Sequence, residues 1–377
     1  MMKKHEKNLL IMKCVLVGLT LVVLCLPWLF TQQRFSLLNF TQTGQIGDTI
    51  GGILSPFIAI LVGYLTFEAF RMQYVANELQ RSDAKEQNLR DRCDRFDNRF
   101  YTMLEALRAN SRNIQLHDKH EGKNAFKALV AELFMTYYVV KEAYLRYKPA
   151  MSNAAKAYIE SLQDDGEEKM LTRMTYGLFF YGMLYHVDNE DEPCIAEILK
   201  EVKSRIRKTG TGDKAIEYEY YLAKEIKGGA LPKFSHELLS GHNDQLGHYF
   251  RHIYQMVKFI ALADDEVVNE EAKSEYVRIL RAELSDYEQV LLFYNAISDK
   301  GDSWNASVGE KEDNECSKRG LISRFRLIKN IPGNILYRGM DPWTYYKDEE
   351  KWWKDKGKDF FEQRYILTAE DEFSIYL

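Results

Sequence analysis

The 377-residue chain is poor in the residues that staple or break a fold: it has five cysteines and seven prolines. Five cysteines spread over this length do not make a disulfide scaffold. So few prolines, with few alternating β-branched runs, point to a mainly α chain. No charge of one sign dominates, since 51 Lys+Arg stand against 56 Asp+Glu for a net of −5. A charged fraction of 28% and an aromatic fraction of 13% are too ordinary for a disordered chain. A mean hydropathy of −0.40 excludes a polytopic transporter with six or more spans. No Ser/His/Asp order, Cys/His pairing or paired-carboxylate site stands out, and no internal repeat is visible.

What is present is unevenly distributed. Leu9 to Phe30 is apolar apart from Lys13, whose long side chain can snorkel to the headgroups. The bulky run Pro27, Trp28, Leu29, Phe30 follows it where a cleaved signal peptide would need small residues, so an uncleaved span is expected. A second apolar run covers Ile50 to Phe67, within an expected span 47–68. There Gly47, Gly51, Ser55, Ala59 and Gly63 recur every four residues. Such a small-residue ladder lies on one helix face and admits a close helix neighbour, either the first span or the same face of another copy. Pro56 is a candidate kink.

Basic residues fix the expected orientation. Lys3, Lys4 and Lys7 precede the first span, Arg34 alone sits in the connecting loop, and Arg71, Arg81, Lys85 and Arg90 follow the second. The positive-inside rule places both termini in the cytoplasm and a short loop outside. Cys93, Cys194 and Cys316 then meet a reducing compartment as free thiols.

The expected organisation is mainly α: a transmembrane hairpin over 1–70, a juxtamembrane stalk helix over 71–112, a helical cytoplasmic domain over 113–330 and an aromatic-rich tail over 331–377. Residues 71–112 contain no glycine or proline, and their apolar positions recur at helical spacing on both sides of a polar stretch, 80–91. Helical periodicity returns over 125–147, 154–162, 246–263 and 272–297, and the apolar run 176–187 suits a buried helix. Acidic groups at 164–168 and 188–192 read as solvated loops. The tail carries Trp343, Trp352 and Trp353 and reads as a packing surface.

Candidate chemistry is sparse. His242, His248 and His252 fall close together, and the last two share a helix face, a spacing that can bind zinc. Tyr249 stands where the zinc-hydrolase motif needs Glu, so that pattern fails, and a polar core seam is the plainer reading. Arg112 and His117 have the Arg-x4-His spacing of HEPN ribonucleases, which an ordinary helix surface also produces. Lys318, Arg319, Arg324, Arg326, Lys329 and Arg338 form a stretch without acidic residues, able to meet nucleic acid, anionic lipid or the acidic body itself. The loop Thr209–Lys214 lacks the full phosphate-loop pattern. No cofactor is called for.

Three stretches together resemble the phage abortive infection family related to AbiC. They are Gly47 through Pro56 with Leu65, Thr66 and Gln73; Gly247-His248-Tyr249-Phe250-Arg251-His252-Ile253-Tyr254-Gln255; and Tyr276 through Leu280 to Ser285, continuing to Leu291-Leu292-Phe293-Tyr294-Asn295. The resemblance spans roughly residues 10–330. It implies a two-span protein of the bacterial inner membrane acting in anti-phage defence, with a cytoplasmic helical domain. Similar two-span proteins serve as retron effectors, which implies a reverse transcriptase–nucleic acid complex or another defence component as partner. Membrane lipids and further copies of the chain are the other expected partners. The resemblance brings no catalytic residues. A non-enzymatic effector that senses infection and permeabilises the membrane is the leading expectation. A tethered nuclease using Arg112 and His117, and a scaffold that recruits a partner, are the alternatives.

Overall fold

The computed structural model describes residues 46–116, 120–162, 166–187, 193–208, 239–311, 314–333, 335 and 337–362, with six single positions between 14 and 28. The expected first span, the connecting loop, His117, the loop at 209–214 and the last fifteen residues lie outside these, single positions of the span excepted. The described chain is mainly helical, as its composition implies, with one two-stranded antiparallel ladder. It divides into two units, 1–88 and 89–377.

The first long element is α1, Ile46–Asn113, which continues through Pro56 and through the polar stretch 80–91 without a break. Among the described residues no helix is long and apolar enough to cross a membrane. Large apolar side chains of α1 are nonetheless exposed, among them Ile58, Ile60, Val62, Phe67 and Phe70. Gly51, Ser55, Ala59 and Gly63 are exposed as well, and a Cβ at Gly51 or Gly63 would meet nothing within 4 Å. Gly47 lies in the same helix.

In the second unit, strands β1 (Gln115–Leu116) and β2 (His120–Glu121) turn the chain into α2, Lys123–Tyr147. α2 is central: Phe126, Val130, Leu133, Phe134, Val140 and Tyr144 on successive faces are all buried. Helices α3 (Asn153–Ser161), α4 (Gly166–Tyr181) and α5 (Pro193–Lys208) pack around its second half. The run 176–187 is not helical to its end. α4 stops at Tyr181 because Gly182 takes φ +61°, and a Cβ there would lie 2.5 Å from the Leu239 carbonyl oxygen. Glu167 and Glu168 lie in the first turn of α4, where they meet Lys148 and the Tyr137 hydroxyl.

After the undescribed stretch come α6 (Asn243–Ala261), α7 (Glu270–Glu283) and α8 (Asp286–Ala296). The continuous periodicity over 272–297 is therefore two helices. The break is written locally as Ser285-Asp-Tyr-Glu288, a capping box in which Ser285 and Glu288 satisfy each other's backbone N–H groups. Asn269 caps α7 one way only, its side chain accepting from the Ala272 N–H. Short helices α9 (Asp302–Asn305), α10 (Leu321–Phe325), α11 (Pro342–Tyr345) and α12 (Lys347–Asp355) close the unit. Trp343, Tyr346, Trp353, Phe360 and Phe361 join the same core as Phe100 and Phe126. These rings of the C-terminal stretch are thus packed into the body.

Candidate functional site

The part of α1 from residue 89 onward lies against the segment that begins at Gly241. Contact starts with apolar surface: Phe96 stacks on Phe259 with centroids 4.7 Å apart and meets Tyr276 edge-on at 5.0 Å. The Arg99 guanidinium lies over the Phe259 ring, 4.8 Å from its centroid. Polar ties then recur along α1. Arg92 pairs with Asp264, the Tyr276 hydroxyl donates to Asp97, and Arg108 donates through Nε to Glu283 at 2.9 Å. Gln245 accepts from the Gln115 N–H at 3.0 Å.

Glu288 is the hub of this seam. Its side chain is buried and collects four donors from three elements. Ser111 of α1 donates to Oε1 at 2.8 Å, and Tyr249 of α6 donates to the same oxygen. The Ser285 N–H donates to Oε2 at 2.7 Å, joined by the Ser285 hydroxyl. A buried carboxylate persists only with such a donor set. Burial, then the Glu288 charge, push the Tyr249 phenol well above its ordinary range, so it stays a donor.

His252 reaches α1 one helical turn beyond Tyr249. The Asn110 side-chain nitrogen lies 3.0 Å from its Nδ1. With the amide nitrogen as donor, Nδ1 accepts, and the ring is the neutral tautomer protonated at Nε2. Burial lowers the His252 pKa, against a hydrogen bond to the Met103 backbone that raises it. His248 is exposed, and His242 is buried at the start of α6 with Nε2 3.0 Å from Glu132 of α2. The three histidines therefore point to three different surroundings. Among the described residues no group of three or more His, Cys, Asp or Glu is placed to hold a metal.

The other expected site residues are distributed as follows. Gly247 admits close packing, since a Cβ there would lie 3.1 Å from the Asn243 side-chain oxygen. Arg251 is exposed, and Tyr254 packs edge-on to Trp304 at 5.2 Å. Asn295 is a buried clamp, donating to the Tyr176 hydroxyl at 2.8 Å and accepting from the Trp304 indole at 3.1 Å. Arg112 is exposed at the end of α1, and its partner in the nuclease alternative, His117, lies outside the described residues.

The basic stretch does not form one surface. Arg324 is buried and donates to both oxygens of Glu270, at 2.9 and 3.1 Å, and to the Val308 carbonyl. Arg319 pairs with Glu349 and lies 3.9 Å from the Trp352 ring centroid. Arg326 donates to the Asp359 carbonyl and covers Trp353 at 4.8 Å, and Arg338 covers Tyr138 at 4.7 Å. The Lys329 carbonyl accepts from the Glu362 N–H, and Lys318 is exposed. The acidic partners of Arg324 and Arg319 come from α7 and α12, so these two arginines fasten the body internally.

Sequence reasoning missed a second polar cluster. Lys273 of α7 has no exposed side-chain surface and donates to Asp265 at 2.7 Å and to Glu270 at 3.2 Å. Lys311 joins both carboxylates. Hydrogen bonds from Lys273 and Lys311 hold Asp265 down at about 2. Burial works against Glu270, yet Arg324 and Lys273 keep it below its usual range. The Glu270–Lys273 pair is an i,i+3 contact that spacing can suggest, whereas Lys311 and Arg324 join it from far along the chain.

Comparison with known families agrees with the earlier resemblance. Residues 241–335 match the model of the family putAbiC, described as "Putative phage abortive infection protein". The match takes in the two stretches around Tyr249 and Asn295, about a quarter of the chain, and does not extend to the stretch at 47–73. No curated protein and no solved structure matches the chain.

Proposed function

We propose that this protein is a membrane-anchored effector of abortive phage infection. The family match over 241–335 supports the defence role. One observation carries the rest: α1 bears exposed large apolar side chains between residues 58 and 75, and the same helix contributes residues 92–113 to the seam with the matched segment. Exposed apolar surface on that scale marks a partner surface or a lipid phase. In this reading the apolar runs 9–30 and 50–67 sit in the bacterial inner membrane with both termini cytoplasmic. The body responds to infection, and α1 carries that response to the small-residue face of the membrane part, which re-pairs between copies and permeabilises the bilayer.

Fractionation of cells carrying the full chain tests the anchor. The expected result is recovery with inner membranes that survives carbonate washing, together with a fall in phage plating efficiency. Recovery in the soluble fraction with phage plating still reduced would overturn the membrane part and leave the defence role.

A further inference from the structure

Arg92, Arg108, Arg173, Arg319 and Arg324 each meet a carboxylate at contact distance. Two half-buried arginines do not. Arg281 of α7 donates through Nη1 to the Arg326 carbonyl at 2.9 Å. Arg326, which follows α10, donates through Nη1 to the Asp359 carbonyl at 2.9 Å, and its guanidinium lies 4.8 Å from the Trp353 ring centroid. Neither forms an ion pair among the described residues. Backbone carbonyls and an aromatic face therefore orient both groups without neutralising them.

The arrangement is built at some cost. Arg326 sits in the left-handed region, φ 49° and ψ 48°, which a residue with a Cβ rarely takes. That conformation ends α10 with the Arg326 carbonyl on Arg281. Burial lowers the pKa of both guanidinium groups, and the Arg326 charge lowers that of Arg281 further. Two carboxylates stand near without contact. Glu362 acts on Arg281 from a distance, while its side chain accepts from the Asn330 amide. Asp359 acts on Arg326 but offers it only its carbonyl. Arg278 also stands beside Arg281, and its own charge is met by Glu275. Neither Arg281 nor Arg326 has a buried nitrogen without a partner, so their remaining N–H groups reach the surface.

We propose that Arg281 and Arg326 form a binding site for a phosphate group, free or carried as a monoester. A partly desolvated guanidinium without a contact anion is costly, and a bound anion offsets that cost. Two guanidinium forks offer more donors than one carboxylate can accept. A phosphate dianion matches the double charge and presents an oxygen edge to each fork. Both arginines lie in the segment that matches the defence family.

Equilibrium dialysis of the full chain, purified in non-ionic detergent, against labelled inorganic phosphate tests this. Salt is held at about 0.15 M, which screens unspecific surface attraction. The expected result is one phosphate per chain with a Kd at or below about 1 mM. Arg326→Gly deletes the guanidinium and suits the left-handed backbone, so the turn is kept and phosphate should bind at least about tenfold more weakly. Arg281→Gln should weaken it to a similar degree. Glu362→Gln removes the nearby negative charge and should tighten phosphate by about threefold. Methyl phosphate separates the sources. Binding within about threefold of inorganic phosphate supports a monoester ligand, and binding at least about tenfold weaker supports free phosphate. The proposal is overturned if phosphate does not saturate by about 5 mM. It is also overturned if Arg326→Gly and Arg281→Gln both bind phosphate as the wild type does.

Discussion

Tyr249→Phe removes one hydroxyl from a buried site and leaves shape and packing in place. The lost bond ends on a carboxylate, and hydrogen bonds to charged groups contribute about 1.5–3 kcal/mol. Glu288 keeps three other donors, one from Ser111 and two from Ser285, so the expected loss is in the lower half, about 1.5–2 kcal/mol. Ser111→Ala should cost about 1 kcal/mol. Tyr249 and Ser111 donate to the same oxygen, Oε1, so their effects should depart from additivity by about 0.5 kcal/mol or more. The assay is urea unfolding followed by tryptophan fluorescence. Four of the five tryptophans, Trp304, Trp343, Trp352 and Trp353, lie in the 89–377 unit and report on it. With a slope near 2–3 kcal/mol per molar, the Tyr249→Phe midpoint should fall by about 0.5–1 M. An unchanged midpoint for Tyr249→Phe, or strict additivity with Ser111→Ala, would refute the assignment of Glu288 as the tie between α1 and the matched segment.

Other consequences can be checked on the same material. His252 has a folded pKa below its ordinary 6.5, so its contribution to stability is complete above that value and is lost as pH falls below it. Unfolding midpoints compared at pH 7.5 and 5.5 should show this loss, and His252→Gln should shrink it. Arg324→Ala removes a buried guanidinium from a half-buried Glu270 that keeps Lys273 and Lys311, and should lower stability by about 1.5–3 kcal/mol, read by the same fluorescence titration. Burial pushes the Cys194 thiol up to about 12, so a thiolate-directed reagent should label Cys93 and Cys316 first and Cys194 only on unfolding.

Much of the helical framework is legible along the chain, because amphipathic spacing and caps are local. The expected helices over 125–147 and 154–162 correspond closely to α2 and α3. Periodicity does not see a sharp corner between two helices in register, and the Ser285–Glu288 capping box is the local signal that marks it. The site is less legible. Tyr249, His252 and Asn295 are named by the family-like stretches, but their roles come from Glu288, Asn110 and Tyr176, each far away in sequence. Lys273 reads as an ordinary helix-surface cation until Asp265 and Glu270 enclose it. For the basic stretch 318–338, spacing leaves nucleic acid, anionic lipid and the acidic body open as partners, because the acids that pair with Arg324 and Arg319, Glu270 and Glu349, lie outside it.

Membrane potential during infection is the most direct probe of the proposed effector step. Cells carrying the wild-type chain are compared with cells carrying Gly51→Leu, Ser55→Leu and Ala59→Leu together, a potential-sensitive dye being followed after phage addition. The wild type should depolarise before lysis and protect the culture. The triple variant, present in membranes at equal amount, should lose depolarisation and protection together. A triple variant that depolarises and protects as the wild type does would contradict a role for that helix face in the damage.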